Sequence, residues 1–274
     1  MLNSERTYVD LLFRASRKYA SWDPEIVVKV GDWGRITRGR GLVFWRKNGT
    51  FLKEGNIFDD GKAKAHGIPE PVEYDGGESS EGEMWVVSQN AKQVDVATSI
   101  GGITPAIAQC KVKGAFKFSS GRGALLVMEK DKISVIDPPG ALRRLLDDTS
   151  MRGLVVVSEV HCCSSYARLL TAQGGSTIAL GLSVEPPVAG VASATANATW
   201  VRSVSSGNFR SQVNKKGDRR YYPLFRLVSL TEKAISTGLR GEEEPDGVPP
   251  LPDAEPPWNS ADVQNTQKRW KSKS

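Results

Sequence analysis

Residues 192–201 read ASATANATWV, and this stretch decides the fold class because its apolar and polar side chains alternate. A period of two is the pattern of a β-strand, whose successive side chains point to opposite faces. Residues 110–118, CKVKGAFKF, repeat the pattern, with apolar residues on one face and mostly lysines on the other. Both stretches therefore predict long amphipathic strands.

Each stretch belongs to a pair of alternating segments, at 91–119 and 154–204. An antiparallel sheet with one face on a core explains alternation by itself. These segments are nevertheless long for a globular sheet, where strands of about 5–6 residues are usual, and a membrane-spanning strand needs about 9–11 residues. In lipid every backbone polar group must be paired, so such hairpins span a membrane only when many copies close a barrel. The positions predicted to enter the membrane are Val94, Val96, Ile100, Val112, Phe116, Phe118, Val160, Ala192, Ala194, Ala196, Ala198 and Trp200.

The remaining chain predicts an α+β fold, a twisted antiparallel β-sheet with flanking helices. Helical spacing of apolar residues predicts a first helix over 3–20, with Ser4 as its N-cap. The other predicted segments are strands at 25–30, 42–46, 50–53, 84–88, 124–128 and 133–136, a helix at 141–148, a buried strand from 153 through 170, and an apolar segment at 221–230 that docks on the core. Predicted connections are a flexible basic loop at 31–41, a long polar loop at 54–82 and a small-residue segment at 171–190.

Charge is distributed unevenly along the chain, whose formal net charge is +6. Basic residues concentrate at 29–53 and 202–226, whereas acidic residues concentrate at 70–83 and in the tail from Glu242. Two local excesses of positive charge indicate a polyanionic partner. Nucleic acid and an anionic membrane surface are the two candidates.

Few features of the sequence favour an enzyme. Its two histidines, His66 and His161, belong to no recognisable metal or nucleophile motif. His161 and Cys162 would point to opposite faces of a strand, so we expect no dyad there. Only three cysteines occur, and there is neither a signal peptide nor an apolar run of about 18 residues, as expected of a cytoplasmic protein. We therefore predict no catalysis, no metal and no cofactor.

Residues 152–170, RGLVVVSEVHCCSSYARLL, resemble the strand that opens the second membrane hairpin of gasdermins. The order of segments around it is also similar: a basic first helix, a Trp/Arg loop, FWRKNGTFLKEGNIFDD at 44–60, a first hairpin, a short helix and a second hairpin. The resemblance spans about residues 3–230. The chain is most similar to the short fungal gasdermins that regulate cell death in filamentous fungi.

That resemblance implies a gasdermin-like pore-forming domain over 1–230 and a flexible, largely disordered tail over 231–274, without the large autoinhibitory domain of animal gasdermins. The implied protein is cytoplasmic when inactive and lies at the plasma membrane, or another anionic membrane, when active. Its pore would be a homo-oligomer, or a hetero-oligomer with a divergent variant of itself. The implied role is lytic cell death in fungal non-self recognition, triggered by that variant or by a protease that cleaves the tail.

The membrane-contacting positions of the family correspond to the first helix and to the loop that follows the first strand. A basic residue near an anionic leaflet contributes about 1 kcal/mol. Trp33 suits the headgroup level, because a Trp among glycines and arginines has little structural reason to be there. The residues predicted to bind acidic phospholipids of the inner leaflet are Arg6, Arg14, Arg17, Lys18, Trp33, Arg35, Arg38, Arg40, Trp45, Arg46 and Lys47.

Two other hypotheses compete with a pore-forming protein. A basic single-stranded nucleic-acid-binding protein would explain the pI of about 9.2 and the TRGRG segment near aromatic residues, although no recognised binding module is present. An interaction or scaffold protein would explain the sheet and the tail but not the long strands of small residues. The pore-forming hypothesis requires no nucleic acid.

Overall fold

The computed structural model describes residues 4–36, 51–76, 82–95, 110–119, 121–172, 174–175, 177–184, 198–203, 206–214, 216–231 and 248–257. The elements, in chain order, are α1 (Ser4–Ser16), β1 (Tyr19–Ala20), β2 (Asp32–Ile36), β3 (Phe51–Asn56), α2 (Lys62–Ala65), β4 (Val72–Asp75), β5 (Glu83–Val87), β6 (Ala91–Gln93), β7 (Lys111–Phe118), β8 (Ala124–Glu129), β9 (Lys132–Val135), β10 (Val155–Cys163), β11 (Ser165–Leu170), β12 (Thr177–Val184), β13 (Ala198–Arg202), β14 (Asn208–Val213) and β15 (Tyr221–Ser229). Two 3₁₀ helices, Pro139–Asp147 and Thr149–Met151, precede β10. The predicted α+β class, with mostly antiparallel sheets, is confirmed.

Contacts divide the chain into two units. The first unit contains residues 1–28, 71–135 and 159–226, and the second contains 29–70, 136–158 and 227–274. β10 and β15 each contribute residues to both units. The sequence prediction of one domain over 1–230 does not anticipate this division.

The first unit contains two four-stranded antiparallel sheets that share a core. The central sheet has the order β14-β11-β8-β5, and the hairpin sheet has the order β13-β12-β7-β6. Phe116, Ile178 and Trp200 of the hairpin sheet pack against Leu125 and Val127 of the central sheet. The hairpin sheet therefore has its apolar face covered by the central sheet.

Helix α1 packs on the opposite face of the central sheet. Its Tyr8 and Leu12 join a second core cluster with Leu126, Met128 and Tyr166. Because alternate residues of β8 and β11 face different neighbours, both strands are buried along nearly their whole length. This explains why residues 124–128 read as a continuous apolar run in place of an alternating one.

The first unit also contains strand pairs outside these two sheets. β9 pairs antiparallel with β4 and with residues 159–162 of β10. β1 pairs antiparallel with β15 through Tyr19 and Ala20. At Ser164 the chain leaves β10, which pairs with β9, and enters β11 of the central sheet.

The second unit is built on β2, which pairs with β3 and with the first residues of β10. Asp32, at the start of β2, is buried and carries a hydrogen bond from Asn56 and an ion pair with Lys53, at 2.8 Å and 2.7 Å. This buried carboxylate is thus paired and hydrogen-bonded, as a buried charge must be to avoid a large desolvation cost.

A segment of the predicted tail belongs to the second unit. Leu251 and Ala254 are buried, and the backbone N–H of Ala254 donates to the carbonyl of Leu227 at 2.9 Å. Val228 forms an antiparallel bridge with Asp253. Within the predicted tail, residues 248–257 thus include two buried side chains and backbone hydrogen bonds to β15.

Four local predictions near the amino terminus are corrected. The first helix ends at Ser16 and not at residue 20, because Arg17 takes a left-handed φ of 59° that terminates it. Residues 25–30 contain no strand, and the predicted loop at 31–41 contains β2. The predicted loop at 54–82 contains α2 and β4.

Three later predictions also change. The predicted helix at 141–148 is a 3₁₀ helix, Pro139–Asp147. The predicted connection at 171–190 contains β12, in which Ile178, Leu180 and Leu182 face the core. The prediction of one strand from 153 through 170 is wrong, because β10 and β11 pair in different sheets.

Candidate functional site

The hairpin sheet gathers most of the described positions that the sequence assigned to the membrane hairpins. β6 pairs with β7, β7 with β12, and β12 with β13, all antiparallel. Phe116 and Phe118 of β7 and Trp200 of β13 are buried on its covered face. Two strands that are distant in sequence, β7 and β13, therefore belong to one sheet, with β12 between them.

The pairing within the second predicted hairpin is different from the expected one. The partner of β13 is β12, whereas β10, which carries Val160, pairs with β9. Val160 is buried opposite Ser134 and lies outside the hairpin sheet. Val160 was assigned to a membrane hairpin because two segments within 154–204 were expected to pair with each other. In the structure, β10 and β13 have other partners.

The remaining predicted hairpin positions are placed as follows. Val94 extends the β6–β7 ladder, since its N–H donates to the carbonyl of Ala115 at 2.9 Å. Val112 is half-buried in β7, and Ala198 begins β13. The predicted positions that lie outside the described residues are Val96, Ile100, Ala192, Ala194 and Ala196.

Aromatic rings fill the interface between the two sheets. The Trp85 ring of β5 lies 5.2 Å from the Phe116 ring and 6.5 Å from the Trp200 ring, the second pair edge to face. The indole N–H of Trp200 donates to the Ser165 hydroxyl at 2.7 Å. Such aromatic pairs contribute about 0.5–1.5 kcal/mol beyond the apolar area that they bury.

One lysine of β7 leaves the alternation that the sequence shows. The register of β7 on β12 pairs Gly114 with Leu180 and Val112 with Gly181, so Lys113 is passed over at a β-bulge. Its ammonium forms an ion pair with Glu83 at the start of β5, and the two side chains are only 10% and 4% exposed. A bulge changes the direction of a side chain, which accounts for a buried charge where the sequence predicts a polar outer face.

The basic residues of α1 are partly engaged in internal contacts. Arg14 pairs with Asp10 one turn earlier at 2.9 Å, and the Arg17 guanidinium lies 5.2 Å from the Phe13 ring. Arg6 is half-buried. Arg14 therefore has its charge partly offset before any lipid is present.

Lys18 lies in a polar network that the sequence analysis did not identify. Its ammonium contacts Glu159 and lies 2.9 Å from His161 Nε2. His161, which is fully buried, contacts Glu159 through Nε2 at 2.9 Å and Asp131 through Nδ1 at 3.0 Å. The signal was present, because Glu159 and His161 are two residues apart on β10 and so share a face.

Burial would raise the pKa of Glu159, but hydrogen bonds with His161 and Lys18 outweigh it and lower that pKa to about 2. Oδ1 of Asp131 is buried without a hydrogen-bond partner. The neighbouring Cys162 hydrogen-bonds Tyr222, and burial raises the pKa of its thiol. These contacts connect the end of α1 to β10 and support a structural role for His161.

Trp33 and Arg35 lie in β2, in the second unit. The indole N–H of Trp33 donates to Asp60 at 2.7 Å, and a Cβ on Gly55 would lie 2.7 Å from its ring. This residue thus has a structural reason for its position, contrary to the argument from sequence. Arg35 pairs with Glu54 at 3.1 Å and is 68% exposed. The other predicted lipid-binding residues, Arg38, Arg40, Trp45, Arg46 and Lys47, lie outside the described residues.

A buried arginine lies between α1 and the central sheet. The Arg168 guanidinium stacks on Trp22 at 3.7 Å from the ring centroid and donates to Asn208 at 3.1 Å. Burial lowers its pKa. Tyr8 completes the group, with its ring 5.8 Å from the guanidinium. The contact holds α1 on the sheet by a cation–π interaction.

Among the described residues, no group of three or more His, Cys, Asp or Glu side chains is arranged to hold a metal ion. No helix in that part of the chain is both long and apolar enough to cross a bilayer. Comparison with known proteins identifies no relative, since neither a family model nor a curated protein sequence matches the chain.

Proposed function

We propose that this protein permeabilises membranes: it binds acidic phospholipids, oligomerises, and inserts the strands of its hairpin sheet as part of a β-barrel pore. The resemblance to fungal gasdermins supports a role in regulated lytic cell death during non-self recognition. In this proposal the resting protein is cytoplasmic and the active oligomer lies in the plasma membrane.

One observation carries the proposal. Residues 111–118 and 198–202, from two alternating stretches widely separated in sequence, lie in a single antiparallel sheet whose apolar face is covered by the central sheet. A sheet of this kind buries its apolar face against protein in one state and can bury the same face against lipid in another. On the other face, Lys117 and Thr199 are exposed, as expected of strands whose polar side lines a water-filled channel.

Backbone hydrogen bonding supports an oligomer. Within the described part of the sheet, β6 and β13 are edge strands. An edge strand has unpaired backbone groups, and hydrocarbon cannot satisfy them. Neighbouring copies would pair these edges and close a barrel, either with identical chains or with a divergent variant.

Dye release from vesicles tests this function. We expect release from phosphatidylcholine vesicles that contain phosphatidylserine, little release from phosphatidylcholine alone, and a decline as salt rises. Protein should be added alone, mixed with a divergent variant, and after protease treatment. Absence of release from the anionic vesicles in all three forms would refute the proposal.

Two neighbouring substitutions provide a matched comparison. Ala194→Lys places a charge on the predicted lipid-facing side, whereas Ser193→Lys places one on the opposite side. A charge at the bilayer midplane costs about 2–4 kcal/mol on the lipid face, so only the first should abolish release. Equal release by both variants would contradict the assigned faces. A filter-binding titration with single-stranded DNA tests the nucleic-acid alternative.

A further inference from the structure

The sequence of β7 and its folded geometry disagree from the β-bulge at Lys113 onward to Val112. By sequence, Lys111, Lys113 and Lys117 alternate with Val112, Gly114 and Phe116 without interruption. In the structure, β7 is paired regularly from Lys117 to Gly114, bulges at Lys113, and resumes at Val112 opposite Gly181. A regular strand would place Lys113 on the same face as Lys117.

The bulge directs Lys113 to a position between the two sheets. Its ammonium pairs with Glu83 of the central sheet, and both side chains are almost fully buried. Gly114, the next residue, lets the ring of Trp85 approach closely, since a Cβ there would lie 3.2 Å from that ring. The pair therefore lies at the edge of an apolar interface, where water does not screen it.

A charge pair at this place specifies how the sheets pack in a way that apolar contacts do not. If one partner is replaced by a neutral residue, the other loses this buried countercharge, which destabilises the closed arrangement. If the hairpin sheet separates as a whole, both groups gain water. The pair thus specifies the closed arrangement, and the separated strand can still be stable.

We propose that the β-bulge and the Lys113–Glu83 pair fasten the hairpin sheet to the central sheet, and that β7 straightens on release, so that Lys113 joins Lys117 on the polar face. This inference rests on the proposed function for the released state. The strand pattern is regular only for the straightened form, in which its polar and apolar faces are uninterrupted.

Hydrogen exchange in solution, without lipid, tests the fastening. Glu83→Gln keeps the shape of the side chain and removes its charge, and we expect the amides of Ala115 and Phe116 to exchange about tenfold faster or more. The reversed pair, a double variant that combines Glu83→Lys with Lys113→Glu, should restore slow hydrogen exchange. Lys132→Gln, in the exposed pair with Glu73, is the control and should change nothing.

Unchanged exchange in Glu83→Gln would overturn the fastening. Should that variant fail to fold, the reversed pair decides the matter: slow exchange supports the proposal, and fast exchange contradicts it.

Thiol labelling on vesicles tests the straightening. In a chain whose three cysteines are replaced by alanine, Lys113→Cys, Lys117→Cys and Val112→Cys are each treated with a polar, membrane-impermeant maleimide. We expect position 113 to react on anionic vesicles at the rate of position 117. Protection like that of position 112 on vesicles would overturn the straightening.

The two readouts separate this inference from the proposed function. Exchange is measured without a membrane, so faster exchange in Glu83→Gln supports the fastening even if no vesicle is permeabilised. If no form of the protein releases dye, the proposed function is refuted and the fastening is not. Dye release that is normal in the wild type, together with unchanged exchange in Glu83→Gln, would refute the fastening alone.

Discussion

Glu159 offers the most quantitative test of the buried network, because burial and two hydrogen-bond partners act on one carboxylate. Its pKa falls from the ordinary value of 4.5 to about 2, and its side chain is only 13% exposed. That shift corresponds to about 3 kcal/mol of folding free energy near pH 7. Glu159→Gln should therefore lower the free energy of unfolding by about 3 kcal/mol, since Lys18 loses its carboxylate.

The pH dependence of this difference has a definite sign. A carboxyl group whose pKa is lower in the folded state stabilises the protein above its unfolded pKa, and that contribution disappears as pH falls toward the folded pKa. The window therefore runs from about pH 4.5 down to about pH 2. The difference between wild type and Glu159→Gln should shrink by about 2 kcal/mol between pH 7 and pH 3.

Urea unfolding at both pH values measures this change. Glu73→Gln is a suitable control, because Glu73 pairs with Lys132 at the surface with 57% of its side chain exposed. Exposed pairs contribute about 0–1 kcal/mol, so this control should change little at either pH. A wild-type advantage over Glu159→Gln that is equally large at pH 7 and pH 3 would refute the argument from charge.

Three further substitutions test the packing of the first unit. Leu126→Ala removes a side chain buried between β8 and α1 and should cost about 2–5 kcal/mol in urea unfolding; a cost below about 1 kcal/mol would contradict that burial. Arg168→Lys loses the planar stack on Trp22 and should cost about 1–2 kcal/mol, and an unchanged melting temperature would argue against the stack. Trp200→Phe leaves the buried Ser165 hydroxyl without its donor and should cost about 1–3 kcal/mol. If Trp200→Phe costs as much in a Ser165→Ala background as in the wild type, the hydrogen bond between them is unimportant.

Strand periodicity predicted much of the fold, because it depends only on neighbouring residues. The alternation at 110–118 predicted β7, and the apolar run at 124–128 predicted β8. β12 was missed because the Gly, Ser and Pro residues on either side of it favour a loop, although its own residues, TIALGLSV, alternate. β14 was missed because Asn208–Val213, NFRSQV, lacks a regular apolar face.

Pairings and contacts between distant residues could not be predicted in this way. The sequence joined Val160 to the strand at 165–170, yet the chain changes sheets at Ser164, which only the tertiary pairing reveals. Trp33 seemed to lack a structural role because its partner, Asp60, lies 27 residues later in the chain.

The sequence by itself determined which strands are amphipathic and where positive charge accumulates, since both properties follow from residue order. Only the tertiary structure decided that β6, β7, β12 and β13 form one sheet. It also decided that Lys113 turns inward to Glu83. The physical reason is that a bulge and a buried ion pair depend on partners from other strands, and those partners are brought near only when the chain folds.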